Sequence, residues 1–530
     1  MKRLLMSSML VLMVVILAAC GSPGDGAGAG TAEAPPAGGP AAAADGEERP
    51  VLRFLMPFHG FDMNEDPVAQ ALRDVTGYDF VFENLPAENP LATLTAIIAA
   101  REEYDLIQLG AAMFRDTVTL GAFEPLNNLL DTYAPNVKRV TDPDAWHFVT
   151  MDGNIMGVPE SVNETSFVTW SLRARMDMLR EVGVNEMPTT LDEFYNALVL
   201  LRDQLDVIPM SFAPPGLMLQ PTLTSPFGVL GPWNVVNGEV LHAVETPGML
   251  EYITFMNRLF TEGLLDNEFA TLTGTTANEK FFTGRSAMHV LAFWEDPSAI
   301  DTTMESFPEA ELAFVPPLEH NGVSGRNVNF GLGRAVVVPR VSRNQEHAMR
   351  FVNATLEGDN FQYINIGLEG VHWSFDADGV RTPYDPIFQD ERGRAAQYIF
   401  GMPTILARQF WVEVRTRRQM PVFYHLFEAT NQTYDMVPTA FPVENFMPPI
   451  EEFLENIVMA NEFVFENLLL FVCNVRPLDE WDDFIDEWKT MYGGDILIRI
   501  MNEWWAENRD EVYPVMMNPV NPFTIFNVRP

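Results

Sequence analysis

Cysteine is almost missing from these 530 residues; the two present are Cys20 and Cys473. That excludes a small disulfide-stapled fold. Cys473 closes the apolar stretch Leu468 to Val472 and reads as a small buried hydrophobe rather than a nucleophile. Positive charge is scarce too. Lys+Arg number 33 against 73 Asp+Glu, a formal charge of -40, and the lysines are Lys2, Lys138, Lys280 and Lys489 alone. A surface of that sign repels phosphate backbones and acidic headgroups, which excludes nucleic acid and anionic lipid as partners. Long apolar runs are limited to one, Met9 to Ala19. It is shorter than the roughly 20 residues a membrane-spanning helix needs. Catalytic signatures are absent as well: no Gly-x-Ser-x-Gly, no His-Glu-x-x-His and no paired Cys-x-x-Cys occurs. Gly331-Leu332-Gly333 lacks the rest of a dinucleotide fingerprint. No catalytic residue, metal ligand set or cofactor is therefore expected.

What is present starts with a processing signal. Lys2 and Arg3 precede the apolar run, which ends Leu17-Ala18-Ala19-Cys20 before Gly21. Small residues followed by a cysteine fit a signal peptide, residues 1–20, cut so that the Cys20 thiol carries a lipid. Residues 21–50 are rich in Ala, Gly and Pro with no large side chain to bury, so they read as a disordered tether. A coil of about 30 residues reaches roughly 30 Å. The apolar fraction of 47% can fill sizeable cores, and the length calls for more than one domain.

From Val51 the pattern alternates between strand and helix. Val51 to Phe58 reads as a strand, Asp66 to Thr76 as a helix stopped by Gly77, and Tyr78 to Glu83 as a second strand. Leu91 to Glu103 reads as a helix and Tyr104 to Gly110 as a third strand. Such alternation requires crossover connections and a mainly parallel sheet, whose ligands sit beyond the carboxyl ends of the strands. Here those ends are Phe58-His59-Gly60 and Leu109-Gly110-Ala111. Asp152-Gly153 marks a hairpin, Phe167 to Leu172 a strand, Thr190 and Glu193 a capping box, and Thr246-Pro247 a helix that ends at Gly263. A strand is expected over Asn329 to Pro339 and a helix over Glu346 to Leu356. In the tail, Trp481, Phe484, Ile485 and Trp488 share one helical face, opposite Asp482, Asp483, Asp486 and Glu487. Helical spacing makes those acids a solvated face rather than a metal site.

Several of these segments, in order, resemble the extracellular solute-binding proteins of family 1, in particular the large lipoprotein branch that serves oligosaccharide ABC importers of Gram-positive bacteria. The matching pieces include Tyr104-Asp105-Leu106-Ile107, Asp131 to Asn136, Asp152-Gly153 through Pro159, Leu172 to Leu179, Pro188 to Glu193, Leu259 to Asp266, Ile366 to Trp373 and Glu487-Trp488-Lys489. The resemblance implies an α/β fold of the periplasmic-binding-protein-like type II kind. Two lobes, each a mainly parallel sheet flanked by helices, would close on a ligand, with a helical C-terminal region. By that likeness lobe 1 comprises residues 51–160 plus about 335–410, and lobe 2 residues 161–330 plus about 411–530. A carbohydrate ligand, the permease subunits of an ABC transporter and a membrane held only through Cys20 are the implied partners of a monomeric protein on the outer face of the cytoplasmic membrane. A cell-surface glycoside hydrolase, or a receptor for peptides or another solute, remains the alternative.

A sugar offers flat C–H faces and paired hydroxyls, so its receptor needs aromatic platforms beside carboxylates or amides. Trp233, Trp294 and Trp373 all stand in loops or at element ends. The resemblance favours Trp294, which follows the strand Ser286 to Phe293 at a place where relatives stack a tryptophan on sugar. It likewise points to a carboxylate near Glu160, Asn163 and Glu164, after the chain leaves lobe 1. His59, at a strand end, and Glu369, before Trp373, complete the candidates.

Overall fold

The computed structural model describes residues 49–141, 143–161, 170–214, 221–292, 295–327, 332–377, 379, 381–402, 439–440 and 443–516. Cys20, the tether up to residue 48, Asn163, Glu164 and Trp294 lie outside them.

Nine strands build two sheets: β1 (Leu52–Met56), β2 (Phe80–Asn84), β3 (Leu106–Gly110), β4 (Val158–Ser161), β5 (Trp170–Arg175), β6 (Ile208–Met210), β7 (Ser286–Ala292), β8 (Leu312–Phe314) and β9 (Leu332–Val337). The first sheet has the order β2-β1-β3-β9-β4, and the second β8-β5-β7-β6. In the first, β1 pairs parallel with β2 and β3, and β9 runs antiparallel between β3 and β4. In the second, β7 is parallel to β6 and antiparallel to β5, which is in turn antiparallel to β8. Each sheet thus carries one strand against the direction of the rest; the α/β class holds, and the sheets are mixed, with three parallel and four antiparallel pairings.

The helices form where local chemistry stops and starts them. In α1 (Pro67–Thr76), Asp66 accepts from the Val68 N–H, proline sits in the first turn, and Gly77 ends the helix at φ 66°. The helix α2 is Pro90–Ala100, and α3 is Ala111–Val118, which begins directly at the carboxyl end of β3. The capping box at Thr190 and Glu193 is formed at the start of α4 (Leu191–Gln204), which buries Leu191, Phe194, Ala197, Leu198 and Leu201. Next come α5 (Pro247–Thr261) and α6 (Gln345–Thr355). The tail is helical: α7 (Glu451–Val472), α8 (Trp481–Met491) and α9 (Gly494–Met516). Trp481, Phe484 and Trp488 are buried on α8, and Asp482, Asp483 and Asp486 are exposed. Among the described residues no helix is long and apolar enough to cross a membrane.

One buried cluster lies between the first sheet and α1 and α6, with Phe54, Phe80, Phe82, Phe351 and Phe400 in mutual ring contact. The other runs from the opposite face of that sheet through the second sheet, α4 and α5 into the tail helices. The strand predicted over Phe167 to Leu172 is described from Trp170 and continues to Arg175, past its predicted end, while residues 167–169 lie outside the described residues. Its positions Leu172 and Ala174 are fully buried, and so are the alternate positions Ser171 and Arg173. Alternation carries little information in a strand covered on both faces.

Candidate functional site

Strand register gathers the polar groups of the first sheet at one end. Because β1 and β3 are parallel, His59 and Gly110 leave the sheet on the same side. Because β9 is antiparallel to β3, its amino end arrives there too, with Arg334 opposite Gly110. Antiparallel pairing of β4 with β9 then sets Glu160 opposite Arg334. Residues 59, 110, 160 and 334, far apart in the chain, are adjacent for this reason alone.

The contacts follow from that register. Arg334 donates through Nε and Nη2 to the two carboxylate oxygens of Glu160, at 2.5 and 2.8 Å. This is the two-pronged geometry that makes guanidinium–carboxylate pairs specific. Nη2 also donates to the Ala396 carbonyl at 2.9 Å, and Nη1 reaches Gln108 Oε1 at 3.4 Å. Gln108 is itself held by donating to the Ile399 carbonyl at 2.6 Å. His59 is half-buried, and its Nε2 has no solvent contact and no hydrogen-bond partner. Burial, helped by the positive charge of Arg334, pushes its pKa down to about 4. A ligand hydroxyl could bond this idle nitrogen of the neutral ring only after the groups covering it move aside. Next to it Phe58 is 55% exposed, an unusual exposure for a phenylalanine at a strand's carboxyl end. Phe61 lies 6.0 Å from the His59 ring, under the Arg394 guanidinium at 4.3 Å.

The other sequence candidates fall elsewhere. Trp233 is 4% exposed, edge-on to His242 at 4.9 Å and against Phe453 at 6.1 Å. It has no open face for a sugar; the Gly-Pro loop before it feeds a packed strand rather than a rim. Trp373 is 2% exposed and lies under the Arg381 guanidinium at 5.2 Å, packed in the cluster between the first sheet and its helices. Both are core residues in this structure, which corrects the expectation drawn from their positions in loops. Glu369 is exposed on the turn bridged to Trp373. Glu160 is where the sequence put it, but its carboxylate is already taken by Arg334. Sequence reasoning missed Arg334, Gln108 and Phe58. Phe58 had a visible signal, an aromatic beside His59 at a strand end. Arg334 had none, since its importance rests on pairing with residues 174 and 224 positions away.

Comparisons with known proteins identify the family and the fold. A family model described as "Bacterial extracellular solute-binding protein" matches residues 65–356, more than half of the chain. The chain belongs to that family. An uncharacterized protein from the butB 5′ region of Niallia circulans is 30% identical over 256 residues, covering 48% of this chain and 98% of that one. Lipoprotein LipO of Bacillus subtilis is 21% identical over 84% of this chain and 90% of its own. Among solved structures, the Streptococcus pneumoniae ABC-transporter substrate-binding protein FusA in complex with kestose superposes with a TM-score of 0.68 at 18% identity, over 87% of this chain and all of that one. At that identity the likeness establishes the fold, the periplasmic-binding-protein-like type II arrangement expected from the sequence.

Proposed function

We propose that this solute-binding protein is lipid-anchored through Cys20 on the outer face of the cytoplasmic membrane, captures an oligosaccharide between two lobes and hands it to the permease of an ABC importer. The observation that carries the reading is the polar group set at the carboxyl ends of the first sheet, where His59, Gln108, Glu160 and Arg334 meet beside exposed Phe58. That is where open α/β sheets hold ligands. FusA, of the same fold, is crystallized with kestose. The lobes are assigned as residues 51–160 plus about 335–410, and 161–330 plus about 411–530. In this reading Trp294, two residues beyond the carboxyl end of β7 at Ala292, supplies a stacking platform, and Asn163 and Glu164, shortly after Glu160 in sequence, supply polar contacts.

Titration calorimetry against fructo-, gluco-, xylo- and manno-oligosaccharides tests this. One sugar class should bind and emerge intact. Enzyme-dependent release of reducing ends would overturn the reading in favour of a surface hydrolase. Trp294→Ala should weaken binding by about 30-fold, since an aromatic hot spot contributes roughly 2 kcal/mol or more. The melting temperature of the unliganded protein should stay nearly constant. Unchanged affinity, or a melt lowered by many degrees, removes Trp294 from the site.

The anchor is tested separately. Cys20→Ala should move the protein from the membrane fraction of its native host to the soluble or precursor fraction, and abolish labelling by radioactive fatty acid. Retention of the label would place the lipid elsewhere.

A further inference from the structure

Six non-glycine residues of the described chain have positive φ. Four are asparagines and one is Asp152, the types that tolerate a left-handed backbone. The sixth is Arg101, at φ 55°. It ends α2, where its backbone N–H donates to the Ile97 and Ile98 carbonyls. Glycine suits that place, and a long side chain there costs backbone energy. Capping of the last carbonyls is the ordinary reason for a cation at a helix end. Yet among the described residues the Arg101 guanidinium makes no hydrogen bond and no ion pair.

Arg101 instead lines a cavity of about 480 Å³, within the usual range of ligand pockets. Apolar residues form much of the wall: Ile97 and Ile98 of α2, Ile107 of β3, Leu120 and Phe123 after α3, and Val341 after β9. Leu120 is exposed here and Ile97 and Ile98 are half-buried, so apolar surface lies open beside the guanidinium. Strand register explains the meeting. β9 runs antiparallel to β3 and sets Val337 opposite Ile107, so residues 339–341 emerge at the amino end of β3, where Arg101 and Glu102 lead into it. His59, Glu160 and Arg334 stand at the carboxyl end of the same sheet, so the cavity is separate from that polar set.

A second guanidinium lines the same cavity. Arg340 donates through Nε to the Phe123 carbonyl at 2.9 Å, and its ion-pair partner Glu124 stands off at 3.9 Å. The acid on the lining is Glu102, whose charge also acts on Arg53 of β1. Two arginines against one carboxylate invert the balance of a chain with 33 cations and 73 acids.

We infer that this cavity binds a small carboxylate with an apolar body, an arylalkanoate or a branched alkanoate. The body fills the space between α2, Leu120 and Phe123, and the carboxylate takes the Arg101 fork by two parallel hydrogen bonds. Such an occupant accounts for the strained arginine: a glycine would spare the backbone and supply no charge. A bare inorganic anion would leave the apolar wall wet, and a neutral apolar molecule would leave the guanidinium unused.

The full chain is held in phosphatidylcholine nanodiscs, so that no detergent enters an apolar cavity, and titrated calorimetrically with 3-phenylpropionate and 4-methylpentanoate. The comparison probes are 3-phenylpropanamide, acetate and inorganic phosphate. One of the two larger carboxylates should bind at least about 10-fold tighter than every comparison probe. Arg101→Gln should lose at least about 10-fold, and Arg101→Lys less, because an ammonium keeps the charge without the planar fork. Arg101→Gly should lose as much as Arg101→Gln while its melting temperature stays level or rises, since glycine relieves the backbone at φ 55°. Absence of carboxylate binding to the parent overturns the inference, and a melt lowered in Arg101→Gly would then mark the residue as a helix cap alone. Equal binding of any comparison probe overturns it by removing the need for either the charge or the apolar body. Carboxylate binding unchanged in Arg101→Gln overturns it by placing the ligand elsewhere.

Discussion

Asp266→Ala is expected to destabilise the folded protein by about 3–5 kcal/mol, the cost of stripping one partner from a buried ion pair. The Asp266 side chain is fully buried, and its Oδ2 accepts from Lys280 Nζ at 2.8 Å and from the Ser211 hydroxyl at 2.7 Å. Lys280 has only 9% of its side chain exposed, and its second partner, Glu268 at 2.6 Å, is 64% exposed. Without Asp266 the ammonium would remain mostly buried with one carboxylate, itself hydrated. The Ser211 hydroxyl would also lose its acceptor where no water reaches. Burial opposes the charged form of Lys280, and the hydrogen bonds from Asp266 and Glu268 outweigh it, so its pKa stays above the usual lysine value. This contribution is therefore complete below about pH 10.5 and fades only at higher pH. Urea unfolding at pH 7.5 measures the effect as a lowered midpoint with an unchanged slope. The double variant Asp266→Leu with Lys280→Met should recover much of the loss, because a hydrophobic pair of similar volume carries no desolvation cost. A single variant as stable as the parent would mean that water reaches this network.

Acid should destabilise the protein before most of its carboxylates protonate; buried Glu444, raised to about 7, is an exception that opposes the trend. His242 is wholly buried between Trp233 and Trp488, whose rings lie 4.9 and 4.6 Å away. Burial pushes its pKa down to about 3. His289 on β7 bonds the Ser211 carbonyl and Asn278 at 2.7 Å each, and burial holds it at about 4. Both are neutral in the fold and have a pKa near 6.5 when unfolded, so between those values the unfolded chain binds more protons. The associated stability is present above pH 6.5 and is lost as pH falls toward 4 and then 3. At pH 5 each histidine has lost about 2 kcal/mol, from 1.5 pH units at about 1.36 kcal/mol per unit. The net charge of -40 acts the other way, since protonating surface acids relieves self-repulsion. That relief belongs to lower pH than the histidine term. Urea midpoints between pH 5 and 7.5 should therefore fall with acidification, and His242→Phe should flatten the curve. A midpoint that rises steadily toward pH 5 in the parent would show that charge relief dominates.

Much of this was legible from residues alone, for reasons that are local. The stop at Gly77, the box of Thr190 and Glu193 and the turn at Asp152-Gly153 each depend on a few neighbouring backbone groups, and each formed as read. Helix faces were equally plain: Trp481, Phe484 and Trp488 repeat at helical spacing and are buried together. The alternation of strand and helix from Val51 to Gly110 dictates parallel pairing, because a crossover helix returns the chain in the same direction.

Other features depend on partners distant in the chain. Whether a tryptophan in a Gly-Pro loop faces solvent or core depends on what packs against it. For Trp233 that is Phe453, and His242 from the adjoining strand, so a loop-like sequence still yielded a 4% exposed ring. The pairing of Glu160 with Arg334 is set by the register of β4 and β9, which the intervening residues leave unspecified. Only the tertiary structure decided that pairing, because it depends on which strands the fold lays side by side and not on any neighbour in the chain.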